Sequence, residues 1–123
     1  MIKETLKIGI MLAMITAWFN TVAQTPIQQK KAEFYAEEAV KYFKLDESKK
    51  EAIYEAKLGL IQAQKVMSDK KKSGDLIDED EELYRKYNIA PHSKKVMEAI
   101  GVKWAELKPF NAKVHPEMNK IRS

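Results

Sequence analysis

The chain has 123 residues, no cysteine, 22 lysines and arginines against 18 acidic residues, and a formal net charge of +4 at pH 7. Without cysteine it has no disulfide, no thiolate metal ligand and no thiol nucleophile, although small exported domains commonly lean on disulfides. A third of the residues are charged with both signs mixed, so the pI near 9.1 reflects a small imbalance and nucleic acid is not an expected partner.

The first 23 residues read as an address. Lys3 and Lys7 form a cationic start, residues 8–19 an apolar core, and residues 20–23 a polar exit ending in the small Ala23. That is the layout of a secretory signal peptide with cleavage between Ala23 and Gln24. The expected destination is the periplasm of a two-membrane bacterium, or otherwise the exterior. The apolar run is shorter than the roughly 20 residues of a membrane span; the rival reading is an uncleaved anchor over residues 8–23.

Residues 24–123 make one small domain, and their punctuation suits helices. Thr25-Pro26-Ile27-Gln28 predicts a start, with Thr25 as N-cap, Pro26 at the first helical position and Gln28 closing a capping box. The helix should run to about Lys44, with Ala32, Tyr35, Ala39 and Tyr42 at steps of three and four. Asp46 is the next cap, and Ser48 with Glu51 offers another box. A second helix to about Lys72 carries Ile53, Ala56, Leu60, Ala63 and Met67 in one seam. Gly74 can supply the left-handed stop.

Asp78 and Glu81 predict a capping box for a short third helix bearing Leu83, Tyr84 and Tyr87, interrupted over residues 88–91. A fourth helix is expected from about His92 to Lys108, with Met97, Ile100, Trp104 and Leu107 inward and Pro109 ending or kinking it. From about residue 110 the chain reads as a loosely held tail. The fold class is therefore all-α: three main helices and one short one, with Ile53, Leu60, Met67, Ile100 and Trp104 in the core.

Chemistry is sparse. Residues 69–80 have the glycine spacing of a calcium loop, but Lys71 stands where a ligand oxygen is needed and Asp80 where a bidentate glutamate is needed. They are better read as a helix stop, a link and an acidic helix start. His92 and His115 stand 23 residues apart without carboxylates at ligand spacing, and read as surface residues. No metal, cofactor or catalytic residue is expected.

Aromatics give the better lead. Phe34 and Tyr35, then Tyr42 and Phe43, are adjacent pairs on the first helix, and neighbours on a helix diverge by about 100°. One of each pair should therefore lie at the core margin, and these four form the candidate partner-binding surface. Leu45, Asp46 and Lys49 occupy the positions of the Leu-Thr-x-x-Gln motif of Spy- and CpxP-type exported helical chaperones. The segment resembles that motif, with Asp46 in place of the capping Thr and Lys49 in place of Gln. The resemblance implies a helical cradle, often a homodimer, that binds unfolded clients without a nucleotide. The leading expectation is a polypeptide-binding module; the alternative is an envelope-associated subunit with one dedicated partner.

Overall fold

The computed structural model describes residues 25–122; the expected leader over residues 1–23, its cleavage point and the anchor alternative lie outside the described residues. The described chain is all-α, with no strand among the described residues. The helices are α1 (Pro26–Tyr42), α2 (Lys50–Ser73) after a 3-10 turn (Glu47–Lys49), α3 (Asp78–Tyr84), a π turn (Arg85–Ile89), α4 (Ala90–Ile100) and α5 (Trp104–Met118). Both α1 and α4 pack on α2, and α5 folds back onto α1.

The capping box at Thr25 forms as the sequence predicts. Thr25 Oγ1 accepts the Gln28 N–H at 3.2 Å, and Gln28 Oε1 accepts the Thr25 N–H at 3.3 Å. Along α1, Ala32, Ala36 and Ala39 are buried beside Tyr35 and Val40, and small side chains there let α2 come close. The helix stops short of Lys44 because Lys44 itself takes a left-handed conformation, φ 53°, and the Leu45 N–H bonds the Val40 carbonyl at 2.9 Å. That is a Schellman stop built on a lysine instead of a glycine, at a cost of about 1 kcal/mol.

Asp46 caps as expected, its Oδ1 accepting the Ser48 N–H at 2.9 Å. It caps the 3-10 turn and so occupies Ser48, and the expected Ser48–Glu51 box does not open α2, whose N-cap Lys49 makes no side-chain bond. Ile53, Leu60 and Met67 are buried, and Gly74 at φ 84° ends the helix.

The remaining half departs from expectation in four places. The Asp78–Glu81 box is not the start of α3: Ile77 is the N-cap, without a side-chain bond, and Glu81 instead meets Lys71 and Arg85, each at 2.9 Å. Residues 88–91 do not interrupt the chain but wind on through the π turn, where the Ala90 N–H reaches the Arg85 carbonyl. Pro91 has no N–H for the Tyr87 carbonyl and its ring would crowd that carbonyl in an α-turn; a wider turn relieves both. The same extra residue fits the five-residue step from half-buried Tyr84 to buried Ile89.

The expected fourth helix is two helices. Gly101 takes φ 86°, and the N–H groups of Gly101 and Val102 both bond the Met97 carbonyl, at 2.7 and 3.2 Å. Trp104 thereby becomes the first residue of α5 and is 55% exposed instead of buried. Nor are residues 110–118 a loose tail. They continue α5 with Phe110, Val114 and Met118 buried, and Pro109 sits inside that helix. The carbonyl that Pro109 leaves without a donor belongs to exposed Ala105, where water can reach it.

Candidate functional site

The four aromatics of α1 do not form one surface. Tyr35 is fully buried and is core, while Phe34 and Phe43 are half-buried and pack against the core. Tyr42 is exposed, but its ring lies against Phe43 at 4.8 Å and against Phe110 at 5.1 Å between centroids. Tyr35 and Phe43 also flank Phe110, at 5.2 and 5.3 Å. Most of this aromatic area is thus used to hold α5 on α1. At the motif-like segment, Leu45 is half-buried against the core, while Asp46 and Lys49 are exposed. Asp46 is held below the usual carboxylate range by the hydrogen bonds of Ser48.

A polar cluster that the sequence reading missed lies where α5 meets α1 and α2. Lys57 is 3% exposed and has no carboxylate partner among the described residues. Its Nζ stands 3.1 Å from His115 Nε2 and 4.3 Å from the centre of the Tyr35 ring. An ammonium can only donate, so Nε2 accepts and the imidazole carries its proton on Nδ1. Tyr35 in turn donates its hydroxyl to Asn111 Oδ1 at 2.7 Å. The hydrogen bond and the cation–π contact do not offset desolvation: burial pushes Lys57 down from 10.5 to about 8. His115 is lowered by desolvation and then by Lys57, and burial raises the Tyr35 phenol.

The signal for Lys57 was present in its position. It stands four residues after Ile53 and three before Leu60, on the apolar stripe, and Asn111 stands likewise between Leu107 and Val114. Chemically, an amine of low pKa beside an imidazole could act as a base or nucleophile. Lys57 lines neither the groove around Tyr54, nor that beside Leu83, nor that at Phe110, and among the described residues its polar and ring contacts are His115 and Tyr35.

The other histidine, His92, lies against Gly59, where an added Cβ would come within 3.2 Å of its Nδ1. Among the described residues no group of three or more His, Asp and Glu side chains is placed to hold a metal ion.

Outside the core, apolar side chains are concentrated on one stretch. Ile77, Leu83 and Tyr87 are 53%, 58% and 65% exposed. Beside Leu83 an open groove of about 700 Å³ is lined by that residue with Ile89 and Ala90 and by Glu79, Glu82, Arg85 and Lys86. A second groove, about 460 Å³, opens between α1 and the start of α2, with the charged side chains of Glu33, Glu47, Lys50 and Glu51 around Ala36 and Tyr54.

Compared with known proteins, the chain matches no family model, and no curated protein or solved structure is significantly similar to it. Among the described residues no helix is long and apolar enough to cross a membrane.

Proposed function

We propose that this protein binds other polypeptides through apolar side chains displayed on a closed helical scaffold, as an exported, ATP-independent chaperone-like module. The observation that carries this reading is the run Ile77, Leu83 and Tyr87, three large apolar side chains more than half exposed within 11 residues. Single exposed apolar residues are ordinary on any protein. Three on one short stretch, with Leu83 lining a groove that has apolar walls, are the beginnings of an interaction patch. Trp104 and Tyr42 add exposed aromatic area elsewhere. The leader over residues 1–23 and the Leu45-Asp46-x-x-Lys49 resemblance support export and client binding, and catalysis has no comparable support.

The second reading, an accessory subunit with one dedicated partner, is favoured by the mixed charged rim of the same groove, where Glu79, Glu82, Arg85 and Lys86 surround Leu83 and Ile89. Client breadth separates the two. At equimolar ratio and without ATP, the protein should slow the aggregation of several unrelated denatured proteins, followed by light scattering. Unchanged aggregation of all of them, together with co-purification of a single companion from the exported fraction, would replace the first reading by the second.

A further inference from the structure

The second half of α5 rests on the bundle through a few side chains. Val114 and Met118 are buried, Asn111 accepts the Tyr35 hydroxyl at 2.7 Å, and His115 accepts from Lys57 at 3.1 Å. The helix itself is weak there. Pro109 and Pro116 bring no N–H, so the carbonyls of Ala105 and Ala112 lack helical donors, and both alanines are exposed. With such a joint at Pro109, the helix beyond it can part from its neighbours while Phe110 and the first turns stay in place.

Lys57 and His115 differ in access. Lys57 is 3% exposed whereas His115 is exposed, so a proton reaches the imidazole but water is kept from the ammonium. The groups facing His115 are Lys57 from α2 and the Tyr35 ring from α1, stacked at 6.3 Å. On its own helix, Glu117 is turned to Lys120 at 3.1 Å. Lys57 in turn meets the same Tyr35 ring at 4.3 Å. Among the described residues neither side chain has a carboxylate partner.

An imidazolium has no lone pair on Nε2. It cannot accept from Lys57, and it sets a second positive charge beside a buried one. His115 stands at the surface, so the imidazolium can turn into water; Lys57 cannot follow unless the helix above it moves. A buried charged donor without an acceptor is unstable, and exposing it to water relieves that.

We propose that the second half of α5 is an acid-released latch: a proton on His115 removes the acceptor of Lys57 and frees residues 111–118 from α1 and α2. His115 is held below its ordinary 6.5 by desolvation and by Lys57 while the latch is closed. Proton uptake therefore favours the open form, and opening grows as pH falls through 6.5. Lys57, at about 8 when closed and 10.5 when free, is charged in both forms over that range and adds no pH dependence there. The open form bares Val114, Met118 and the Tyr35 ring, all buried in the closed one. The latch is independent of the polypeptide-binding reading and stands or falls without it.

The test is amide hydrogen exchange at about pH 7.5 and about pH 5, corrected for intrinsic rates. Opening of residues 111–118 should increase about tenfold or more in acid, the effect of losing one hydrogen bond to a charged group, while residues 53–67 of α2 stay protected. His115→Gln keeps an acceptor that does not titrate, and its response should fall below about twofold. Lys57→Met removes the buried charge and should flatten the response likewise. His92→Gln, at the contact with Gly59, should keep the full response.

Equal exchange of residues 111–118 at both pH values overturns the proposal, as does a full response in His115→Gln. Loosening of α1, α2 and α5 together in acid is global unfolding and also overturns it. Should His115→Gln fail to fold at neutral pH, judged by circular dichroism, Lys57→Met decides: a flat response supports the latch and a tenfold one overturns it.

Discussion

Phe110→Ala is expected to destabilise the protein by about 3–5 kcal/mol, read from urea unfolding at neutral pH. Phe110 is fully buried, with Tyr35, Tyr42 and Phe43 all within 5.3 Å between ring centroids. Removing it leaves a cavity that three rings on one helix cannot close without moving α1 or α5. For a domain of this size that is a large part of the total stability. A loss below about 1 kcal/mol would mean that α5 is peripheral, as a loosely held tail would be.

The second large effect belongs to Lys57. Its pKa is about 8 in the fold and 10.5 in the unfolded chain, so below pH 8 the amine is charged in both states and the folded state bears the desolvation. Raising the pH from about 8 to 10.5 discharges the folded state first, and stability should rise. The full gain is about 3 kcal/mol at 1.36 kcal/mol per pKa unit, an upper figure.

Tyr35 opposes this above pH 10. Its raised phenol stays neutral in the fold while the unfolded chain ionises, so stability turns down again. Lys57→Met keeps the apolar stem and removes the charge. It should be more stable than the parent at pH 7 by up to about 3 kcal/mol and nearly flat between pH 8 and 10. Lower stability at pH 7 with the parent's slope intact would show that the charge of Lys57 stabilises the fold instead. On the acid side, lowered His115 and His92 make the folded state reluctant to take up protons, so stability declines as pH falls through 6.5.

The helix class, the Thr25 capping box, the α2 seam and the Gly74 stop are legible because each is set by residues within a turn or two of one another. The second half is harder for a physical reason. Met97, Ile100, Trp104 and Leu107 keep helical phase across the break at Gly101, so periodicity alone reports one helix where a left-handed glycine makes two. Leu107, Phe110, Val114 and Met118 likewise continue the stripe through Pro109, whose lost hydrogen bond falls on an exposed turn and is tolerated.

The candidate surfaces were less legible still. Whether Tyr35 or Tyr42 faces outward depends on where α5 lands, and nothing local to α1 encodes that. Lys57 lies on the seam by position, but its type argues for solvent; only the packing of α5 over it makes it buried. Leu83 and Tyr87 read as helix residues; the structure leaves both exposed, and the π turn that contains Tyr87 carries Ile89 inward.

The central claim, that polypeptides are bound on the exposed stretch from Ile77 to Tyr87 of a scaffold that is already closed, is met most directly by amide hydrogen exchange with and without a saturating unfolded client. Added protection should be confined to residues 77–90, with α1, α2 and α5 exchanging as they do alone. Protection on α1 with residues 77–90 unchanged, or no protected segment at all, would contradict it.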